Sequence, residues 1–431
     1  MQYFSTNRQS PCVNFREAAL KGQPDDRGLY FPVTIPKVSA EFIKGLSDRS
    51  NAEIAFEVMR PFADESIAGE KLYEICAETV NFAFPLVEIS DRISSLELFH
   101  GPTLAFKDVG ARFMSRCLKY FSEDVSTKTV VVVATSGDTG GAVAAGFHNV
   151  EGVEVVILYP RGKVSEVQER QLTTLGGNVT ALEVDGVFDD CQALAKASLA
   201  DSDIASRVQL TSANSINIAR WLPQQIYYFY ALKQWPHQDP PVISVPSGNF
   251  GNLASGVLAQ SAGLPVKKFL AACNANDVVL RYLKSGAFEP KPAVETLSNA
   301  MDVGDPSNFV RILEILGNDR AKLLKDLEAL SVSDQQTTDT IREVFDQCGY
   351  TLDPHGAVGY RALADHLERS GNDRGIFLET AHPIKFDSVS KILGIALDQP
   401  DTIRDLFSRE KKSVRINADY SVVKELLMSK I

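Results

Sequence analysis

Short apolar runs alternate with helical patterns through the middle and later parts of the chain. The run 129–134 consists of five apolar residues after a threonine, a pattern typical of a strand buried on both faces. Alternating strands and helices predict an α/β fold with parallel sheets covered by helices on both faces. Further strands are predicted at 153–158, 179–184, 242–245, 269–273 and 375–379, and helices at 140–147, 166–175, 189–199, 216–234 and 253–261.

Local signals fix some of these boundaries. Ser165 and Gln168 form a capping box that should open one helix, and Gly176-Gly177 should close it in the left-handed conformation. The first 81 residues lack the alternating pattern, apart from helical patterns near 52–62 and 69–81. They are interpreted as an N-terminal extension packed on the core. The segment 287–347 is mostly polar and helical, which predicts an insertion into the larger domain.

Composition excludes several classes of function. The chain has 431 residues, of which 44% are hydrophobic, and its net charge of −11 with no basic stripe argues against nucleic-acid binding. Apolar runs reach only strand length, so no membrane span is predicted. The first 11 residues lack the apolar core of a signal peptide, and six scattered cysteines without a Cys-x-x-Cys pair fit a cytoplasmic protein. The histidines show no zinc-ligand spacing, so no metal is expected.

Lys107 is the most informative candidate residue. It stands between Phe106 and a predicted helix start, after the turn at Gly101-Pro102. A lysine held among apolar neighbours loses solvation, its pKa falls, and the free amine becomes nucleophilic toward aldehydes. This suits a Schiff-base lysine, whose usual aldehyde partner is pyridoxal phosphate. A surface lysine at a helix start is the alternative interpretation.

Two loops follow predicted strands and begin helices, where ligands of parallel α/β sheets bind. In 245–252, Gly248 and Gly251 allow close backbone approach, and the helix start can bind an anion such as phosphate without a lysine. In 134–141, the hydroxyls of Ser136 and Thr139 could help to hold a carboxylate. An ordinary strand–helix turn remains the alternative for each loop.

A third candidate site begins the predicted helix 216–234. Asn214, Ser215 and Arg220 could converge on a second phosphate, because the arginine side chain leans back toward the helix start. The alternative is a capping Asn214 or Ser215 with an unrelated surface arginine.

The chain resembles the threonine synthase family of the longer bacterial and fungal kind, within the fold-type II pyridoxal-phosphate enzymes. The resemblance covers nearly the whole chain in one order. It rests on Tyr3-Phe4-Ser5-Thr6, Gly28-Leu29-Tyr30-Phe31-Pro32, the run from His100 to Asp108 around Lys107, Ser298-Asn299-Ala300-Met301-Asp302 and Glu379-Thr380-Ala381-His382-Pro383.

The resemblance implies two parallel-sheet α/β domains and an N-terminal domain at 1–81. The catalytic core would be 82–431, with a small α/β domain at about 117–213 and a helical insertion at about 287–347. Lys107 would form the Schiff base with the cofactor. The cofactor phosphate would be held by Gly248, Asn249, Phe250, Gly251 and Asn252, the pyridine nitrogen would face Thr380, the substrate carboxylate would be held by Ser136, Gly137, Asp138 and Thr139, and the substrate phosphate by Asn214, Ser215 and Arg220.

Two positions depart from the resemblance. Asp138 stands where the wider superfamily often has asparagine, near the cofactor's phenolic oxygen, and a carboxylate donates a hydrogen bond only when protonated. Asn252 stands where many members of the family have aspartate.

The implied reaction converts O-phospho-L-homoserine and water to L-threonine and phosphate. Other functions on the same fold are a serine/threonine dehydratase, a phospho-lyase that stops at a 2-oxo acid, or a pyridoxal-phosphate-binding protein without turnover. Arg220 argues against the dehydratase, whose substrate has no phosphate, but not against the phospho-lyase. A monomer or a homodimer is expected.

Overall fold

The structure is a computed structural model that describes residues 1–63, 65–122 and 128–430. Its N-terminal part contains an antiparallel sheet with strand order β2-β1-β3, which the sequence did not predict, and helices that include the two predicted ones. The elements are β1 (Gln2–Ser5), β2 (Val13–Asn14), α1 (Phe15–Lys21), β3 (Tyr30–Pro32), α2 (Ala40–Lys44), α3 (Asn51–Ala63) and α4 (Gly69–Thr79).

The remaining chain alternates strands with helices, as predicted. The elements up to residue 246 are β4 (Leu86–Ser90), β5 (Ile93–Glu97), α5 (Lys107–Ser122), β6 (Thr129–Ala134), α6 (Asp138–Phe147), β7 (Val153–Pro160), α7 (Glu166–Thr173), β8 (Val179–Asp185), α8 (Phe188–Ala200), α9 (Ser202–Ala205), β9 (Gln209–Thr211), α10 (Ile218–Trp221), α11 (Ile226–Gln234) and β10 (Val242–Pro246). The later ones are α12 (Gly251–Ala262), β11 (Lys268–Cys273), α13 (Val278–Ser285), α14 (Phe309–Ile315), α15 (Arg320–Asp326), β12 (Leu327–Ser331), α16 (Asp334–Cys348), α17 (Pro354–Arg369), β13 (Gly375–Glu379), α18 (Asp387–Leu393), α19 (Asp401–Ser408), β14 (Ser413–Asn417) and α20 (Tyr420–Ser429).

The larger sheet has the strand order β12-β11-β10-β13-β5-β4, and all its pairs are parallel except β4 with β5. Its side chains alternate between two apolar clusters. Ile243 and Val245 of β10 belong to one cluster, whereas Val242 belongs to the other. Both faces are therefore covered, which confirms the predicted α/β class.

The smaller sheet is fully parallel, with the order β14-β8-β7-β6-β9. Every residue of β6 is buried, as its apolar run predicted. Strand β14 reaches this sheet from the late part of the chain, and α20 packs beside it through Val423 and Leu427. The sequence analysis did not predict either element.

The capping box predicted at the start of α7 is confirmed, whereas the predicted end is wrong, because α7 ends at Thr173 with Thr174 as its C-cap and the two glycines follow in the next turn. Ser165 and Gln168 form both bonds of a capping box. Gly176 and Gly177 have φ of 66° and 64°, in the left-handed region that glycine adopts without steric cost.

The single long helix predicted at 216–234 is wrong. The chain forms α10, then a 3₁₀ turn at Leu222–Gln225, then α11. Pro223 lies in the turn and has no N–H to continue an α-helix. The N-cap is also different, because Asn217 rather than Asn214 or Ser215 accepts a hydrogen bond from Ala219 N at 2.9 Å.

The segment 287–347, predicted to be mostly helical, also contains one strand. Strand β12 pairs in parallel with β11 and extends the larger sheet. Leu327 and Ala329 of β12 are buried. The strand is short and follows a polar helical pattern directly, so its alternation was hidden.

Among the described residues, no helix is both long enough and apolar enough to cross a membrane. The same residues contain no cluster of histidine, cysteine and acidic side chains suited to a metal ion.

Candidate active site

The candidate residues gather at the carboxyl ends of strands from both sheets. The segments after β5, β10 and β13 come from the larger sheet, and the segment after β6 from the smaller one. Ligands bind in this position in open parallel sheets.

Backbone hydrogen bonds hold the Lys107 segment beside Thr380. Phe106 N donates to Thr380 O at 2.9 Å, and His382 N donates to Leu104 O at 3.0 Å. Lys107 follows as the first residue of α5, and Thr380 is buried directly after β13. The two predicted residues are thus brought together by a short antiparallel bridge.

The turn before Lys107 is fixed by a buried carboxylate. Asp108 accepts hydrogen bonds from Thr103 N at 2.9 Å and from Thr103 Oγ1 at 2.5 Å. A Cβ added at Gly101 would lie 2.5 Å from Asp108 Oδ2, so this glycine permits the close approach. Burial raises the pKa of Asp108, while the two bonds from Thr103 act in the opposite direction.

Lys107 has the electrostatic environment expected of a nucleophilic amine. Its Nζ lies 5.6 Å from the centre of the Phe106 ring. Burial is the main cause that lowers the pKa of Lys107, and the cations of Lys385 and Arg220 lower it further, whereas Asp138 acts to raise it. A larger fraction of the amine is therefore unprotonated at neutral pH than in a solvated lysine.

The glycine loop after β10 packs closely against the backbone of Met301 and leads into the start of α12. A Cβ at Gly248 would lie 2.4 Å from Met301 Cα, so only glycine fits without movement of the backbone. Phe250 has φ of 62°, an uncommon conformation for a non-glycine residue, which costs on the order of 1–3 kcal/mol. It precedes α12, whose first N–H groups lack acceptors within the helix. Strain beside free N–H groups fits an anion site.

Ser215 lies against this loop. Its Oγ accepts hydrogen bonds from Asn249 Nδ2 and from Asn308 Nδ2, both at 3.0 Å. The serine proton is then available for a ligand. Asn252, by contrast, turns its side chain toward Tyr228, whose hydroxyl donates to Asn252 Oδ1 at 2.9 Å.

A buried arginine, Arg311, binds the backbone carbonyl groups of the Ser215 segment. Arg311 donates to Ser215 O and to Ile216 O, each at 2.8 Å, and its guanidinium lies 4.2 Å from the Trp221 ring centre. Burial lowers the pKa of Arg311 to about 9, which still leaves it cationic at neutral pH. No carboxylate in the described chain forms an ion pair with Arg311, so its charge adds positive potential behind the loop.

Arg220 is buried with unused donors. Its Nε and Nη1 have no hydrogen-bond partner in the described chain, and Asn214 Oδ1 is likewise buried and unpaired. Burial lowers the pKa of Arg220 to about 10, so it remains charged at neutral pH. Its charge acts on Lys107, but no hydrogen bond between described residues joins it to Asn214 or Ser215. Unpaired buried donors are costly unless a ligand uses them.

The hydroxyl-rich loop after β6 is organised by Thr135, which the sequence analysis did not select. Thr135 Oγ1 accepts from Gly137 N at 3.0 Å and from Gly140 N at 2.8 Å. Ser136 and Thr139 are partly exposed, and their hydroxyls bond to no described residue. They are consequently free to contact a ligand.

Lys385 is the main charged residue that sequence reasoning missed. It is fully buried, its Nζ lies 2.7 Å from Asp138 Oδ1, and it donates to Thr103 O at 2.8 Å. Burial alone would raise the pKa of Asp138. The cations of Lys385 and Lys107 lower it by more than burial raises it, so the carboxylate is ionised. The available signal was the position of Lys385 two residues after the motif that contains Thr380.

Sequence comparisons identify relatives along the whole chain. Residues 94–378 match the family described as "Pyridoxal-phosphate dependent enzyme", residues 2–80 match "Threonine synthase N terminus" and residues 356–427 match "Threonine synthase, C-terminal". A threonine synthase from Escherichia coli strain K12 is 42% identical, with 100% of each chain covered. One from Haemophilus influenzae is 44% identical, with 94% of each chain covered.

A solved structure gives the same result. The crystal structure of PLP-bound threonine synthase from Brucella melitensis superposes with a TM-score of 0.93 at 35% identity, and the alignment covers 100% of this chain and 99% of the other.

Proposed function

Because the chain belongs to the threonine synthase family of fold-type II pyridoxal-phosphate enzymes, we propose that it converts O-phospho-L-homoserine and water to L-threonine and phosphate. The observation that carries the choice of substrate is Arg220. This cation is buried near Lys107 with two unpaired donors, and no hydrogen bond between described residues joins it to the glycine loop. Two anion positions suit a phosphorylated substrate next to a phosphorylated cofactor.

The residues fit the cofactor, pyridoxal phosphate. The free N–H groups at the start of α12, next to Phe250 in its left-handed conformation, suit a phosphate. We assign its phosphate to the segment from Gly248 to Asn252. In this assignment Lys107 would hold the cofactor's aldehyde group until substrate binds, and Thr380 would present a neutral hydroxyl to its ring nitrogen.

When bound, the cofactor supplies an electron sink that stabilises negative charge at the substrate Cα. The chain supplies positioning and proton transfer. Lys107 Nζ, as a free amine, takes the Cα proton and later returns a proton there. Ser136 and Thr139 bind the substrate carboxylate with their unused hydroxyls, assisted by N–H groups at the start of α6.

The second anion position stabilises the leaving phosphate. Arg220 Nε and Nη1 donate to its oxygens, and the proton of Ser215 and the amide of Asn214 add neutral donors. Because Arg220 is buried, its charge is poorly screened by water and acts strongly on the departing group.

A phospho-lyase is the alternative that the two anion positions also permit. Incubation of the purified protein with O-phospho-L-homoserine, followed by mass spectrometry of the products, separates them. We expect L-threonine and phosphate in equal amounts. A 2-oxo acid in place of threonine would establish a phospho-lyase. Turnover of L-serine or L-threonine in place of O-phospho-L-homoserine would establish a dehydratase, and no turnover of any of these substrates would favour a non-catalytic role.

The Gly248 position gives a test of the cofactor assignment. Gly248→Ala should lower bound pyridoxal phosphate strongly and destabilise the protein by about 1–3 kcal/mol, because the new methyl group meets backbone rather than a movable side chain. Gly69→Ala is the matched control, since Gly69 begins α4 of the N-terminal part and no non-neighbouring atom of the described chain lies within 4 Å of its added Cβ. Cofactor content is measured by absorbance after dialysis, and stability by denaturant unfolding. Equal cofactor content in both variants would contradict the assignment.

The domain division is part of the same proposal. The N-terminal sheet supports a domain at 1–81, and the two parallel sheets support a large and a small α/β domain in the core. The free state of all six cysteines supports a cytoplasmic location.

A further inference from the structure

A buried ion pair lies next to the candidate nucleophile. Lys385 follows β13 in a short 3₁₀ turn, and its side chain has no exposure to solvent. Its Nζ lies 2.7 Å from Asp138 Oδ1 and bonds to Thr103 O at 2.8 Å. Burial of two charges is costly unless their geometry and further hydrogen bonds compensate, so such a pair calls for a functional reason.

The pair joins the two sheet systems of the core. Asp138 begins α6 after a strand of the smaller sheet, and Gln168 Nε2 of α7 donates to its Oδ1 at 3.0 Å. From the other side, Lys385 and Gln171 both donate to Thr103 O, the latter at 2.9 Å. The position of the carboxylate is therefore fixed by groups on several elements.

The Lys107 amine is the third ionisable group of this cluster. The groups that act on its amine are Asp138 from α6, Lys385 from the turn after β13 and Arg220 from α10. The carboxylate acts electrostatically on both lysines, yet its short contact is with Lys385, and Lys107 Nζ forms no hydrogen bond with a described residue. An anion that paired with Lys107 would hold the amine in its protonated, unreactive form.

We propose that Lys385 is a positioning residue that occupies Asp138 as its ion partner and so leaves the Lys107 amine unpaired and reactive. The inference deepens the proposed function, because it rests on the role of Lys107 as the nucleophile. In this proposal the ion pair between Lys385 and Asp138 controls the protonation of the Lys107 amine. If the ion pair only supported the fold, the titration of the Lys107 amine would not change when Lys385 or Asp138 loses its charge, singly or together.

The test measures the Lys107 amine without cofactor or substrate. The full-length apoprotein is labelled with trace acetic anhydride across a pH series, and acetylation of the Lys107 peptide is quantified by mass spectrometry. Lys385→Met removes a repelling cation and frees Asp138 to pair with Lys107. The midpoint of the labelling curve should therefore rise by about one pH unit or more. Asp138→Asn removes the attracting anion, and the midpoint should fall.

Matched variants separate this role from general damage. The double variant Lys385→Met/Asp138→Asn should return the midpoint to near the wild-type value and keep the protein folded even if Lys385→Met alone unfolds. Lys385→Arg keeps the charge and should leave the midpoint in place. Lys267→Met removes an exposed lysine whose partner is Asp373, at 2.5 Å, and should also leave it in place.

The outcomes are distinct. Opposite shifts for the two single variants would support the proposal. If Lys385→Met does not fold, a fall for Asp138→Asn together with restoration in the double variant would support it. An unchanged or lowered midpoint in folded Lys385→Met would overturn it. An unchanged midpoint in Asp138→Asn, or a double variant that stays displaced, would overturn it. Because labelling needs neither phosphohomoserine nor turnover, a failed proposed function would leave these midpoints interpretable.

Discussion

Replacement of Lys107 by alanine should lower turnover of O-phospho-L-homoserine by at least roughly 10²–10⁴-fold, the range that a lost general base accounts for. The loss of the Schiff-base nucleophile adds to this effect. The reason lies in the environment of the amine, where burial, Lys385 and Arg220 lower the pKa of Lys107 and so favour its unprotonated form. Turnover is measured as phosphate release at saturating cofactor.

The site of attachment is tested on the wild-type protein. The protein with bound pyridoxal phosphate should be yellow. Borohydride reduction should bleach this colour and leave a pyridoxyl group on the Lys107 peptide, which mass spectrometry identifies. Lys119 is the matched control, because it lies on the same helix but is exposed. Lys119→Ala should keep full activity and full labelling at Lys107. A label on another lysine, or on none, would refute the assignment.

Arg220→Met should cut turnover by ~30–150-fold, which corresponds to the loss of one charge-assisted contact of ~2–3 kcal/mol. Weaker stabilisation of the leaving phosphate would increase the effect. Methionine keeps most of the buried volume, so the change removes the donors rather than the packing. Bound pyridoxal phosphate should stay near the wild-type level, since its phosphate is assigned to the separate glycine loop.

The stability of the Arg220→Met variant tests the same assignment independently. Arg220 is buried with Nε and Nη1 unpaired, and an unsatisfied buried polar group costs about 1–3 kcal/mol. Without substrate, Arg220→Met should therefore unfold at the same or a higher denaturant concentration than the wild-type protein. Arg415→Met, at an exposed ion pair with Asp185, serves as the control and should keep activity. Loss of cofactor or unchanged turnover in Arg220→Met would show that the two phosphate sites are assigned wrongly.

The elements predicted best from the sequence are those with strong local patterns. The strand at 129–134 is a run of valines buried on both faces, and its bounds coincide with β6. Strand β14 could not be predicted in this way, because only Ile416 is buried and its pairing partner β8 is far away in the sequence. Strand β5 escaped for a related reason, since serines occupy its centre.

The same division holds for the candidate site. Lys107 and Gly248 stand in local motifs, so their chemistry can be predicted from the neighbouring residues in the sequence. The roles of Lys385 and Arg311 could not be predicted from the sequence, because lysine and arginine are mostly surface residues and only the fold buries these two. The error at Arg220 was different in kind. Arg220 is buried and its charge acts on Lys107, but the helix that carries it is interrupted at Pro223 and begins at another cap.

Strand β14 has a consequence for how the protein acquires its structure. The ion pair between Arg415 of β14 and Asp185 of β8 joins residues 230 positions apart at 2.8 Å. Closing such a long loop is entropically costly, so this pairing is expected to form late in folding. Until then β8 presents an unpaired edge, which can pair with the edge of another chain. The partly folded species that lacks β14 is therefore the one expected to self-associate, and refolding yield should fall steeply as protein concentration rises.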